Sequence, residues 1–108
     1  MFARNVHLRL KPNSVAVLTQ TIDKEIIPLL RKQEGFQDEI VFVAPSGTEA
    51  LAISLWDEKR NAEAYNRRTY PQVLKALADV VEGSPQIQTY DVSNSTFHKI
   101  AARVAIPV

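Results

Sequence analysis

The spacing of apolar side chains in the first third of the chain predicts a strand followed by a helix. Apolar and polar residues alternate with a period of two, which predicts a strand, over Asn5, Val6, His7, Leu8, Arg9 and Leu10. Apolar residues then recur every three or four positions, which predicts a helix from about Ser14 to Gln33. We expect Pro28 to kink this helix and Gly35 to end it.

Two apolar segments joined by a short turn follow the first helix. The first covers residues 36–44, and the second runs from Glu49 to Trp56. The residues between them, Pro45 to Thr48, have the composition of a tight turn. Together these segments predict an antiparallel hairpin.

The second half of the chain predicts a broken helix and a last strand. Asp57 is the candidate cap of a helical region whose first piece runs to about Arg68. Thr69 and Pro71 are suited to starting a second piece. Its apolar stripe ends before the Gly-Ser-Pro sequence at residues 83–85, and the last strand is predicted over residues 87–97.

The order strand–helix–strand therefore occurs twice, which predicts an α+β domain of the ferredoxin-like β-α-β-β-α-β plan. In this plan a four-stranded antiparallel sheet carries its helices on one face. We place a single domain over residues 1–108, with its core at about residues 2–97 and a C-terminal tail at residues 98–108.

The third strand has no polar face. Leu51, Ile53 and Leu55 point to one side, whereas Trp56 and three small residues point to the other, Ala50, Ala52 and Ser54. Because the helices of so short a chain cover one side of the sheet, the other side needs a cover from outside. This predicts a homodimer that packs sheet to sheet. The alternative is that these are ordinary residues of a central strand.

The face with small side chains predicts a pocket for a small molecule between sheet and helices. Small residues leave space, and Trp56 would line it together with Asn5 and His7 from the first strand. Trp56 is suited to stacking on an aromatic ring, Asn5 to holding a phenolic oxygen, and His7 to acting as a general base. Each of them also has a purely structural interpretation, as a packed or simply exposed side chain.

Composition and charge remove several classes of function. The 13 basic and 12 acidic residues leave a net charge of +1, which gives no reason to expect a nucleic acid or an anionic membrane as partner. The absence of cysteine excludes disulfides, thiolate metal sites and cysteine nucleophiles, and two distant histidines form no metal-binding motif. No apolar run approaches the ~20 residues of a membrane span, and the N-terminus lacks a signal-peptide pattern. We therefore expect a cytoplasmic protein.

Three short motifs carry a resemblance to a known family. They are Gly35-Phe36 after the first helix, Leu55-Trp56-Asp57-Glu58 at the end of the third strand and Ala62-Glu63-Ala64-Tyr65 on the next helix. In their order and spacing, over about residues 2–97, they resemble the antibiotic biosynthesis monooxygenase family of dimeric α+β barrels. The resemblance implies a homodimer with a pocket in each subunit. Some members oxidise quinols or polyphenols with molecular oxygen and without metal or flavin, and another branch binds and degrades heme.

The match to the family's functional residues is partial. Asn5 and Trp56 stand where the heme-degrading branch has Asn and Trp, but Asn66 replaces its His, ten residues beyond the Trp. An Asn is a poor axial ligand for iron, which argues against heme. Of the polyphenol-oxidising motif only the Trp matches, since Ala52 and Ala62 replace its Asn and Tyr.

Together with the predicted pocket, the resemblance implies a cofactor-independent monooxygenase that acts on a small quinol- or polyphenol-like aromatic. Its predicted catalytic residues are Asn5, His7 and Trp56, and its predicted substrate-binding residues are Tyr65, Asn66 and Tyr70. No metal or other cofactor is expected. The alternatives are a non-catalytic dimeric module that binds a small aromatic or apolar ligand and, against the missing His, a heme-binding protein.

The last residues of the chain are unusually apolar for a solvated end. Ile100 is followed by Val104, Ile106 and Val108, and the last three alternate with other residues, which predicts a short strand over residues 103–108. Pro107 has no N–H to donate and would confine it to an edge. We expect the tail to dock at the dimer interface.

Overall fold

The computed structural model describes residues 1–98, in which helices lie over one face of a sheet. Its elements are β1 (Phe2–Leu10), α1 (Val15–Thr21), a π-helical segment (Ile22–Ile26), α2 (Ile27–Arg31), β2 (Phe36–Val43), β3 (Glu49–Trp56), α3 (Lys59–Arg68), α4 (Tyr70–Leu77) and β4 (Val81–Asp91). No helix in this part of the chain is long and apolar enough to cross a membrane. The strand predicted over residues 103–108, and the docking of the tail, lie outside the described residues.

The sheet has four antiparallel strands in the order β2-β3-β1-β4. The first strand is thus central, and Phe2 at its start pairs with Trp56 on one side and Asp91 on the other. β2 and β3 form the predicted hairpin. The ferredoxin-like prediction is confirmed by this arrangement.

Alternation along β1 directs every second side chain into the core. Phe2, Val6, Leu8 and Leu10 are buried on the face that the helices cover. The helical segments contribute the apolar positions that recur every three or four residues, of which Leu18 and Leu30 are almost completely buried. The core therefore lies between one face of the sheet and the helices.

The first helical region is irregular where Pro28 was expected to disturb it. A π-helical turn precedes the proline, and in it the amide of Ile27 donates to the carbonyl of Ile22. Proline has no N–H, and its ring crowds the carbonyl four residues earlier, here that of Lys24 within the wider turn. The predicted kink thus takes the form of a π-helical segment, which lies against the sheet.

The chain leaves this helical region through Gly35, as predicted. Gly35 has a φ of +78°, and a Cβ at this position would collide with the side chains of Asp57 and Asn61. Asp57 is not the cap of α3. Its Oδ1 accepts hydrogen bonds from the Glu58 amide (2.6 Å) and the Asn61 side chain (2.8 Å), and α3 begins at Lys59.

The last strand differs from the prediction, because β4 begins at Val81 and ends at Asp91. Gly83 and Pro85, expected to separate helix from strand, lie within it. β4 is an edge strand whose pairing with β1 shifts register between His7 and Arg9. An edge strand accommodates a proline and an irregular glycine because one of its sides makes no ladder hydrogen bonds.

Candidate functional site

Asn5 and His7 lie on the opposite face of the sheet from Trp56. Asn5 is paired with Ile53, and His7 faces the same way, whereas Trp56 is buried on the side covered by helices. The prediction that Asn5, His7 and Trp56 line one pocket is therefore wrong. Alternation shows which residues share a face but not which face the helices cover, and Arg4 and Val6, not Asn5 and His7, share the face of Ala52.

The charged residue on the helix-covered face of β1 is Arg4, which is not among the predicted site residues. Arg4 pairs with Ser54 across the β1–β3 ladder and is only 4% exposed. Its position has the same parity as Val6 and Leu8. A cation on an otherwise apolar strand face was the signal that could have identified it, because arginine is seldom fully buried without a partner.

A cavity of about 40 Å³ lies between the sheet and the helices around Arg4. Its walls come from three strands, the π-helical segment, α3 and α4, and they include Arg4, Glu39, Ser54, Tyr65 and Tyr70. The remaining lining residues are apolar: Val6, Leu8, Ile22, Ile26, Val41, Ala52, Val73 and Leu77. This volume holds one to a few water molecules. Ala52 and Ser54 line it, as predicted for the small residues of β3.

The cavity is most exposed on the side lined by β2 and Ala52. Glu39, Val41 and Ala52 face the helices and line the cavity, yet each retains partial exposure to solvent. The residues contributed by α4 and by the π-helical segment are buried. The exposed side of the cavity is therefore the one toward β2, and Arg4 lies among its buried residues.

Trp56 supports the cavity from behind. It is fully buried, its indole N–H donates to Ser54 Oγ (2.9 Å), and its ring centroid lies 5.1 Å from that of Tyr65. Phe36 packs edge-on against it at 5.6 Å. Trp56 therefore fixes the position of two residues of the cavity wall, Ser54 and Tyr65, and its polar N–H is satisfied within the protein.

The three residues predicted to bind substrate lie together around Arg4. The guanidinium carbon of Arg4 is 4.0 Å from the ring centroid of Tyr70 and 5.2 Å from that of Tyr65. The Arg4 Nη2 donates to Asn66 Oδ1 at 2.8 Å. The cation–π contacts, the hydrogen bond to Asn66 and a side-chain hydrogen bond to Tyr70 thus hold the guanidinium in place.

Glu39 places a carboxyl group in the same cavity, in the row across the sheet that Glu39, Ser54 and Arg4 form. Burial raises its pKa to about 8, an effect that the Arg4 charge only partly offsets. Its Oε1 is buried and has no hydrogen-bond partner among the described residues. The carboxyl is therefore largely neutral at pH 7. Burial also raises the pKa of Tyr65 and of Tyr70, so that both phenols stay protonated.

The uncovered face of the sheet holds Asn5 and His7 in a shallow depression. It is lined by these two residues with Leu51, Gln86 and Gln88. His7 Nε2 lies 3.1 Å from Glu49 Oε1, and Asn5 Oδ1 is buried without a hydrogen-bond partner in residues 1–98. The two residues are thus close to each other but separated by the sheet from the Arg4 cavity.

Comparison with known proteins identifies the architecture through solved structures. No family model and no curated protein matches the sequence. A monooxygenase from the gene ActVA-Orf6 of Streptomyces coelicolor, solved with nanaomycin D, superposes with a TM-score of 0.74 at 14% identity, covering 91% of this chain and 92% of its own. The chain has the fold of the antibiotic biosynthesis monooxygenases.

Two further structures show the same similarity. A proposed antibiotic biosynthesis monooxygenase from Deinococcus radiodurans has a TM-score of 0.71 at 19% identity, covering 92% of this chain and 99% of its own. A protein of unknown function from Nitrosomonas europaea, NE2512, has a TM-score of 0.74 at 16% identity, with 91% and 94% coverage. At these identities the similarity establishes the antibiotic biosynthesis monooxygenase fold, as the resemblance had implied, and leaves the activity to be argued from the site.

The residues of the cavity do not fit a heme group. Asn66, at the position where the heme-degrading branch has His, uses its amide oxygen to accept the hydrogen bond from Arg4. The described residues contain no cluster of three or more His, Asp or Glu side chains that could hold a metal ion. The polar groups of this cavity are a guanidinium, a carboxyl group and two phenols. Of these, only a tyrosinate is a usual axial ligand for heme, and both phenols stay protonated because burial raises their pKa.

Proposed function

We propose that this protein is a cofactor-independent monooxygenase that oxidises a small quinol- or polyphenol-like aromatic in the cavity between sheet and helices. The observation that carries the proposal is the cavity itself, whose lining combines a buried Arg4 guanidinium, in contact with two tyrosine rings, with the Glu39 carboxyl group. The fold shared with the Streptomyces coelicolor monooxygenase supports it.

The chemistry asks little of the protein beyond orientation and a dry site. An anthrone-type substrate can supply all the electrons that oxygen accepts: its CH₂ carbon becomes a C=O, one oxygen atom enters the product and the other leaves as water. Deprotonation of the substrate makes it electron-rich enough to react with O₂. The apolar cavity wall excludes water, and the rings of Tyr65 and Tyr70 orient a flat substrate.

The size of the cavity favours a second candidate function, a non-catalytic module that binds a small aromatic or apolar ligand. An aromatic ring is larger than a cavity of about 40 Å³, so it fits only when lining side chains move. A protein that only sequesters its ligand needs no access for oxygen once the cavity has closed around it.

Either function is proposed to operate in a homodimer formed sheet to sheet. Ile40 and Phe42 on β2 are 48% and 52% exposed, and their pairing partners, Ile53 and Leu51, lie on the same uncovered face. Half-exposed large apolar side chains on adjacent strands are typical of a protein–protein interface. A second copy of the chain would cover them by the same surface, as in a twofold dimer.

Oxygen consumption separates the two functions. We would incubate the protein with a panel of quinols and hydroxyanthrones, follow oxygen uptake, and record the fluorescence of Trp56, the one tryptophan of the chain. Uptake with product formation supports the monooxygenase. A fluorescence change with no uptake supports the binding module. A shifted Soret band on addition of heme would contradict both.

A further inference from the structure

We propose that Arg4 and Glu39 form the recognition site for an ionisable oxygen of the aromatic ligand, with Arg4 binding the oxyanion and Glu39 accepting its proton. The inference deepens the proposed function by naming the substituent that the substrate must carry. It rests on that function for the reaction that follows, but not for the binding and ionisation of the ligand.

Arg4 has more hydrogen-bonding capacity than the protein uses. The guanidinium carries five N–H donors, and among the described residues its side chain donates to Asn66 and forms a hydrogen bond with Tyr70, which leaves donors unused. No carboxylate in residues 1–98 forms an ion pair with it, although the residue is almost completely buried. A buried cation without a counter-ion is costly, and an anion that enters the cavity removes that cost. The free donors therefore indicate an anionic partner.

Glu39 is unsuited to be that counter-ion. Its carboxyl is near enough for the two charges to influence each other but makes no ion pair, and its Oε1 has no partner in the described part of the chain. The raised pKa keeps most of the carboxyl neutral at pH 7. The other ionisable groups around the cavity are Tyr65 from α3 and Tyr70 from α4, since the π-helical segment contributes only Ile22 and Ile26.

Only the ionised fraction of Glu39 can accept a proton, and in those molecules the transfer from a phenol leaves the total charge of the cavity unchanged. Where Glu39 is already protonated, the phenolic proton leaves to water. In the first case the phenolic O–H bond breaks, its electron pair remains on the oxygen, and the proton forms an O–H bond with the Glu39 carboxylate. The negative charge thereby moves from a group with an unpartnered oxygen to one that the guanidinium of Arg4 can bind directly. A base whose pKa lies near neutrality is well matched to a phenol.

The aromatic rings beside the guanidinium favour a flat ligand. Tyr65 and Tyr70 both lie beside the guanidinium, and their centroids are 6.2 Å apart. An oxyanion at Arg4 places the rest of the ligand between these rings and the exposed side of the cavity, where Val41 and Ala52 lie. A carboxylate or phosphate without an aromatic body would bind Arg4 but gain none of this contact.

The test uses para-nitrophenol, whose ionised form absorbs visible light, together with its methyl ether, para-nitroanisole. In the unmodified protein we expect bound para-nitrophenol to be ionised at a pH where the free compound is mostly neutral. We expect para-nitroanisole to bind at least about tenfold more weakly, because it has no oxygen that can ionise. Equal affinity for the two compounds would overturn the proposal without recourse to any variant.

Two substitutions assign the roles. Arg4→Met should abolish the shift toward the ionised probe, whereas Arg9→Met, on the other face of the same strand and exposed, should leave it unchanged. Glu39→Gln should bind the preformed phenolate about as tightly, because its amide is neutral like most of the Glu39 carboxyl at pH 7, and should slow oxidation of hydroxyanthrones, because it removes the proton acceptor. A folded Arg4→Met protein that still ionises the probe would overturn the assignment of Arg4. Weaker phenolate binding by Glu39→Gln, or unchanged oxidation, would overturn that of Glu39.

Oxygen uptake distinguishes the failure of this inference from the failure of the proposed function. Probe ionisation that depends on Arg4, with no uptake for any substrate, would leave the oxyanion site standing and contradict the monooxygenase. Uptake that continues unchanged in folded Arg4→Met would support the monooxygenase and overturn the oxyanion site.

Discussion

The guanidinium of Arg4 lies 4.0 Å from the centre of the Tyr70 ring, which connects the central strand of the sheet to the first turn of α4. Both residues are buried, so the contact is shielded from solvent. Such a cation–π contact stabilises the fold more than an exposed one, because the cation has lost part of its hydration. The same contact fixes the guanidinium at the inner end of the cavity.

This contact predicts different effects for two substitutions of Tyr70. Tyr70→Phe keeps the ring face and should cost less than about 1 kcal/mol, whereas Tyr70→Leu removes the ring and should cost about 2 kcal/mol or more. Urea unfolding of both variants beside the unmodified protein measures the difference. Equal losses for Phe and Leu would show that the ring face does not stabilise Arg4.

The raised pKa of Glu39 predicts that the protein loses stability as pH rises. Its pKa is about 8 in the folded protein against an ordinary value of 4.5, so between these values the folded state binds more protons than the unfolded state. The stability that comes from the neutral carboxyl is complete below pH 4.5 and is lost as pH rises through about 8. Because Glu39 is partly exposed, we expect a loss of about 2 kcal/mol between about pH 5 and pH 9.

A neutral substitution checks this assignment. Glu39→Gln should flatten the dependence of the unfolding free energy on pH, and Glu63→Gln, at an exposed position of α3, should retain it. The free energies come from urea unfolding at several pH values. If Glu39→Gln keeps the slope of the unmodified protein, another group causes it.

The proposed sheet-to-sheet dimer predicts that a charge on the uncovered face lowers the dimer affinity. Ile53→Asp places a carboxylate where a second copy would pack, and burying it there without a partner is unfavourable. Sedimentation should show a shift toward monomer. Val17→Asp, on the exposed side of α1, is the matched control and should leave the association unchanged. A monomeric unmodified protein would contradict the dimer itself.

Alanine substitutions at Gly35 and at Gly83 together separate the effect of a steric collision from that of backbone strain. Both have positive φ, +78° and +68°, but a Cβ on Gly83 would meet nothing within 4 Å, whereas one on Gly35 would collide with two side chains. Gly83→Ala should therefore cost about 1 kcal/mol, and Gly35→Ala clearly more, about 2–4 kcal/mol. Thermal unfolding measures both, and equal losses would contradict the collision.

Local features were predictable from the sequence because they depend on neighbouring residues. The alternation in β1, the hairpin turn between β2 and β3, the end of the first helical region at Gly35 and the break at Thr69 all occur as expected. The grouping of Leu51 with Ile53, and of Ala52 with Ser54, was also correct, since a strand has a fixed period of two. Tyr65, Asn66 and Tyr70 were selected from one short segment and lie together.

The tertiary structure determines which face of β1 meets the helices. As a result, the cavity beneath the helices contains Arg4 instead of the predicted Asn5 and His7. Alternation divides a strand into two sets of residues but does not show which set faces the core. Which set does so depends on the register with β3, which comes from contacts some 50 positions away in the chain. Glu39 is a second example, because its environment depends on a residue of another strand and on burial beneath the helices. A site assembled by such long-range pairing leaves no local signal beyond a charge at an apolar position.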